Sequence, residues 1–284
     1  MSSLSDTTGD IKLDKPYLWT LTLFIDGRQI HFMLHNDMEA DSLICRNIDI
    51  GKWIDEGEYL RALENAIYDN RLLLNDFKRV NVSVDSNKFI FLPQGYGPDD
   101  DVRKAFDIAF PDAEGDFVVS RGYNCNADVA YMVPQGVYRF LQRTFSNIPV
   151  RLNLEVLASY FRGRTLTSNV GKVAVYTRGD GRIDVCAFKR GKLQLANTYL
   201  CRSENDIMYY TLAVWNELGL DVHSDEIQVA GDKTVRASIM PRLREYVTYV
   251  VPVMVPPAAM RLASDVAKAP FNLIALAIYE DNKR

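Results

Sequence analysis

Several short stretches carry residue types that could do chemistry. "TRGDGR", Thr177 to Arg182, places two arginines around a glycine-flanked aspartate. Guanidinium groups match the oxygens of a phosphate, so Arg178 and Arg182 could hold a phosphorylated ligand. Solvation, or pairing with surface acids, accounts for the same two residues. "FIDGRQ", Phe24 to Gln29, contains Asp26-Gly27. That dipeptide suits the central pair of a two-residue hairpin turn, where both positions want positive φ. His31 and His35 lie at even spacing and could present two imidazoles to a metal from one strand face. The third histidine, His223, is distant, and a pair without a clustered third ligand reads as ordinary strand residues. The run Asp99-Asp100-Asp101 lacks the alternating spacing of a calcium loop. Helix capping and the helix dipole explain carboxylates in that place.

Other chemistries find no support. The sequence has no GxxxxGK[ST] phosphate loop, no GxSxG nucleophile turn and no CxxC pair. Its four cysteines, Cys45, Cys125, Cys186 and Cys201, are far apart and read as free thiols in a reducing compartment. A net charge of −4 and a pI near 5.5 argue against general nucleic-acid binding, which needs a basic face. No signal peptide is read at the N-terminus, and residues 1–16 are expected to be a loose tail. No apolar run reaches the roughly 18 residues of a membrane span. The apolar "YVTYVVPVMVPPAAM" is interrupted by Pro252, Pro256 and Pro257, and "FNLIALAIY" suits a buried terminal helix. A cytoplasmic protein without membrane insertion is the expectation.

The elements that would position these residues form a pattern that occurs twice. From Trp19 to Ile48 the sequence reads as a three-stranded meander, with Leu21, Leu23 and Ile25 alternating on one face. A helix follows, with Asp55 as cap and Glu58 at the capping-box spacing, then the strand "RVNVSVD". From Lys172 to Cys201 the same meander recurs, turning at "GDG" and at Arg190-Gly191. Ser203 caps the next helix with Asp206 at the third position, Gly219 ends it, and "EIQVAGD" is a buried strand. Val173, Val175, Ile183 and Val185 should fill one buried face. Between the copies, "KFIFLPQG", "GDFVVSRG" and "NADVAYMVP" read as strands. "DDDVRKAFDIAF", "GVYRFLQRTF" and "NLEVLASYF" read as helices. The expected division is 17–165 and 166–284, with the break near Arg164 to Gly171.

A β-β-β-α-β-α unit used twice resembles the actin-like ATPase superfamily of actin, sugar kinases and heat-shock chaperones. The carriers are the two hairpin units and "QVAGD", Gln228 to Asp232. Segments such as "LPQG", "DVAYMVPQGVY" and "SENDIMYYTLAVWNELGL" are similar to an uncharacterised family of Bacteroidetes proteins with that fold. The resemblance implies an α/β, ribonuclease H-like duplicated fold with two halves around a cleft. It also implies a nucleotide site: a carboxylate ending the first strand of each hairpin to hold a metal, and small turn residues near the phosphates. Cleft candidates are then Asp26, Gly27, Arg178, Gly179, Gly181, Arg182, Gly231 and Asp232. The match is incomplete. Asp26 is the only strand-end carboxylate read as facing the cleft; Thr177 and Arg178 stand where its counterpart should be, and Gly231 is followed by Asp232 rather than a second glycine. The expectation is a catalytically degenerate binding or scaffold module with an unidentified protein partner, as in the platform proteins of secretion and pilus systems. No cofactor and no catalytic or metal residue is assigned. An ATPase or small-molecule kinase with altered cleft residues, using ATP and magnesium, is the first alternative. A nucleotide sensor without turnover is the second.

Overall fold

Alternating apolar residues build the first sheet from the chain start. β1 (Thr20–Ile25) and β2 (Gln29–His35) pair antiparallel, and β3 (Ile44–Asp49) extends the meander. Helix α1 (Glu56–Tyr68) returns the chain so that β4 (Arg79–Val84) lies parallel to β1. The Asp55 side chain accepts the Glu58 amide at 2.8 Å, while Glu58 reaches back to the Ile54 amide, one residue before the expected reciprocal bond. The computed structural model describes residues 13–39, 42–122, 125–163, 170–255, 257, 259–261 and 266–281. Most of the expected tail at 1–16, and most of the expected break at 164–171, lie outside the described residues.

An insertion follows β4. β5 (Phe89–Pro93), α2 (Asp99–Ala109), β6 (Asp116–Gly122) and β7 (Ala127–Val133) make a separate sheet of order β5-β7-β6. The acidic run opens α2, where Asp99 pairs with Arg121 and Asp101 with Lys104. Then α3 (Val137–Thr144) leads to β8 (Val150–Leu152), a short parallel neighbour of β4, and α4 (Asn153–Gly163) leaves the unit.

The second half repeats the first. β9 (Lys172–Thr177), β10 (Arg182–Lys189) and β11 (Lys192–Leu200) form the meander, then come α5 (Glu204–Glu217) and β12 (Glu226–Gly231). Ser203 and Asp206 make the full capping box of α5. Next are α6 (Lys233–Leu243), β13 (Tyr249–Pro252) and α7 (Phe271–Asp281). The two main sheets have the orders β3-β2-β1-β4-β8 and β11-β10-β9-β12-β13, the same topology strand for strand. β8 and β13 add a fifth strand to each unit beyond the pattern read from sequence.

Each sheet is covered on both faces. Leu21, Leu23, Ile25 and Val82 pack with Tyr59 and Leu63 of α1, whereas Phe24 and Met33 pack with Leu273, Ile274 and Ala277 of α7. Val173, Val175, Ile183 and Val185 share one buried cluster with α5 and α6. Ala174, Cys186 and Phe188, on the other face, join the core that includes α4. So α7, late in sequence, covers the first sheet, and α4, early in sequence, runs against β10 and β11 of the second. Among the described residues, no helix is long and apolar enough to cross a membrane.

Candidate functional site

The first hairpin uses its own aspartate. Asp26 pairs with Gln29 across the loop through its backbone amide, so the central turn residues are Gly27 and Arg28, one position later than expected. Neither takes a positive φ. The bend is instead fixed by the Asp26 carboxylate, whose Oδ1 accepts the amides of Arg28 and Gln29, both at 2.7 Å. Its Oδ2 meets Nε2 of His31 at 3.2 Å. Burial raises the Asp26 pKa, but the bonds from His31 and the two amides outweigh it and hold the carboxyl below its usual range. Trp53 donates to the Gly27 carbonyl at 2.7 Å, and its indole lies beside the turn, 3.6 Å from where a Cβ on Gly27 would stand. His35 faces Asp37, 3.3 Å away, so the two histidines engage different acids.

The second hairpin turns through Gly179, Asp180 and Gly181, closed by the Arg178 amide on the Arg182 carbonyl at 2.9 Å. Gly181 takes φ +80, as the left-handed position of a three-residue hairpin loop requires. Arg178 leaves the end of β9 and crosses to the first half, where Asp85 follows β4. Nη1 and Nη2 of Arg178 each lie 3.0 Å from a different oxygen of Asp85, and Nη1 of Arg182 reaches the same carboxylate at 2.6 Å. Asp180 accepts Nε of Arg182 at 2.8 Å and its amide at 3.1 Å. Asp184 lies on β10 beneath them, taking the Thr198 hydroxyl at 2.7 Å with Nη1 of Arg178 at 3.5 Å. Phe24 of the first sheet presents its ring to Arg178, 5.7 Å from the guanidinium carbon.

This network corrects the reading of Asp26 as the sole acidic strand end at the cleft: Asp85 is a second one, and Asp184 adds a buried carboxylate. The duplication itself carries a usable signal for Asp85. Val84 pairs with Ile25, and Gly231 pairs with Thr177. Asp85 therefore corresponds to Asp232, and Asp26 to Arg178. Both aspartates make the same backbone bond, Asp85 to the Ile25 carbonyl and Asp232 to that of Thr177. Asp184 has no such signal, because its position mid-strand reads as an ordinary outward polar residue.

At the end of β12, Gly231 takes φ +99, and a Cβ there would stand 2.1 Å from the Thr177 carbonyl oxygen. The Asp232 side chain caps α6, accepting the amides of Thr234 and Val235, both at 2.9 Å. A groove of about 310 Å³ opens between this strand end, the hairpin and the start of α5; Arg178, Arg182 and Arg202 are among its lining residues. All eight sequence-derived candidates are thus placed. Arg178, Gly179, Gly181, Arg182 and Asp232 border the groove, Gly231 sits at the strand end beside it, and Asp26 and Gly27 stay in the first hairpin.

These residues do not fit a divalent cation shared by the hairpins. Asp26 spends its oxygens on its own turn and on His31, and a guanidinium occupies the place of the second carboxylate. Among the described residues, no group of three or more histidine, cysteine or acidic side chains is arranged to hold a metal.

The sequence profile of a family described as "Protein of unknown function (DUF3822)" matches residues 8–250. No curated protein matches the sequence. A crystal structure from Bacteroides thetaiotaomicron VPI-5482, described as a protein with actin-like ATPase fold and unknown function, is similar at 21% identity and a TM-score of 0.69. The match covers 84% of this chain and 92% of that one. The structure of a PilM-PilN type IV pilus biogenesis complex is similar at 11% identity and a TM-score of 0.54, over 93% of this chain and 99% of that one.

Proposed function

The chain belongs to the DUF3822 family of proteins of unknown function and has the actin-like ATPase fold, and from that premise we propose that it is a catalytically degenerate member of the fold, a binding or scaffold module for a protein partner. One observation carries the reading: Arg178 stands at the position that corresponds to Asp26, and its guanidinium is bound by Asp85. Phosphoryl transfer relies on metal ions and donors placed around the transferring group, with little covalent help from the protein. Replacing a carboxylate by a guanidinium inverts the local charge and repels the cation. The loss of one well-placed electrostatic group can cost on the order of 10²–10³ in rate. Partner binding draws support from the fold alone, since the PilM-PilN complex is a pilus biogenesis assembly containing this fold. A cytoplasmic setting belongs to the same proposal.

Purified protein with ATP and magnesium should release no phosphate above a buffer control. Robust release that disappears in Asp26→Ala would favour the ATPase or kinase reading. The groove beside Gly231 and the start of α6 favours a second reading, a nucleotide sensor without turnover. Stabilisation of the parent protein by ATP, without phosphate release, would select it.

A further inference from the structure

Arg178 and Arg182 belong to a hairpin of the second half, yet both converge on one carboxylate of the first. Asp85 accepts Nη1 of Arg178 at 3.0 Å on one oxygen and Nη1 of Arg182 at 2.6 Å on the other, and Nη2 of Arg178 lies 3.0 Å from that second oxygen as an ion pair without a hydrogen bond. Two guanidinium groups gathered on one pair of oxygens is the arrangement that recognises a carboxylate or phosphate ligand. The Arg178 side chain is 5% exposed. A charge so removed from water needs a partner that supplies both countercharge and acceptors. The remaining acids supply charge, but neither accepts a hydrogen bond from Arg178. Asp184 contacts Arg178 only at 3.5 Å, and Asp180 only at 3.7 Å while it binds its own turn and Arg182. Both arginines line the groove, and Asp85 is not among its lining residues. Its own acids are occupied: Asp232 caps α6, and Glu204 accepts the hydroxyl of Ser238.

We propose that Arg178 and Arg182 form an oxyanion site that Asp85 fills from within the chain, latching the two halves together, and that a small phosphorylated anion competes with Asp85 for it. The inference rests on the non-catalytic reading in one respect: the anion binds without a metal. With Asp85 in place, three carboxylates face two guanidinium groups and repel a free anion. Neutralising Asp85 takes from Arg178 its hydrogen-bonding carboxylate and leaves Arg182 with Asp180 alone, and an anion entering from the groove restores the missing partner.

The test uses the full chain and inorganic pyrophosphate without magnesium, with sodium chloride at matched ionic strength as control. Asp85→Asn should gain a rise in melting temperature of roughly 2–4 °C in millimolar pyrophosphate over that control, and the parent, where Asp85 competes, should show a smaller rise. The gain should vanish in Asp85→Asn/Arg178→Gln. ATP without magnesium, run alongside, separates a bare phosphate ligand from a nucleotide. A folded Asp85→Asn protein that responds to pyrophosphate no more than the parent overturns the proposal. If Asp85→Asn does not fold alone, refolding it in pyrophosphate decides: rescue supports the masked site, and lack of rescue counts against it. Magnesium-dependent ATP turnover by the parent would defeat the non-catalytic reading and leave this metal-free measurement standing by itself.

Discussion

A guanidinium buried as deeply as Arg178 keeps its charge because carboxylates surround it. Burial lowers its pKa, but Asp184 and Asp85 outweigh that effect and raise it. The acids divide in their response. Burial would raise Asp180, yet Arg182 and Arg178 hold it below the usual range, as His31 does for Asp26. Asp184 is raised, because its burial exceeds what Arg178 and Thr198 return. The signs set the pH dependence. A carboxyl depressed on folding contributes stability above its unfolded pKa of about 3.9, and that contribution is lost as pH falls through the folded value. A raised carboxyl takes up its proton first in the folded state, so it adds stability as pH falls toward that same value. Urea midpoints should therefore drop below about pH 4 as Asp26 and Asp180 protonate, with a shallower drop in Asp180→Asn. Asp184→Asn should lose the opposing gain above that pH; midpoints that track the parent throughout would show that these shifts do not govern the acid limb. Arg178 and Arg182 are visible from sequence as potential phosphate binders. Their actual partner is not, because it is supplied by a strand end 93 residues earlier, across the cleft.

Strand elements are legible in the sequence because their buried faces alternate. Val185 shows how much rests on one such position: it is fully buried between Val175 and the helices α5 and α6. Val185→Asp should cost several kcal/mol in urea unfolding, since a carboxylate there meets no donor or cation. A variant as stable as the parent would mean that the face can open to water. Gly231 tests the backbone instead. With φ +99 and the Thr177 carbonyl oxygen 2.1 Å from where a Cβ would stand, Gly231→Ala should cost more than about 1 kcal/mol and separate the ends of β9 and β12. Unchanged stability would show that the strand ends can move apart freely. Other elements give little signal. β8 has three residues and β13 four, too few to show alternation. α6 contains Pro241, which removes a backbone donor, and it lacks a continuous apolar stripe. The first hairpin turns one residue later than its Asp-Gly pair suggests, because the Asp26 side chain, rather than positive φ, makes the bend.

Across the whole molecule, sequence order and packing order diverge, and periodicity cannot report that divergence. α7 follows the second sheet but buries Phe24 and Met33 of the first, and α4 precedes the second sheet but packs on its strands. The helices also meet one another. Phe271 stacks on Phe161, with ring centroids 5.8 Å apart, and Asn272 joins Tyr176 of β9 to Asn153 of α4. Each half thus completes the other's core, and the Asp85 latch adds a charged tie above the same interface. Such mutual burial predicts one cooperative unfolding transition for the full chain, even though two similar sheets could suggest two. The three tryptophans allow a direct check, since Trp19 and Trp53 lie in the first half and Trp215 in the second. In Trp215→Phe, fluorescence reports the first half; in Trp19→Phe/Trp53→Phe it reports the second. Against circular dichroism of the same variant, each fluorescence curve should give a coincident urea midpoint. Midpoints separated by more than about 0.5 M would mean that the halves unfold independently. Ending the chain at Pro270 should abolish the first-half transition as well as the helix itself, because Phe24 and Met33 would face water; a truncated chain that keeps that transition would remove α7 from the shared core.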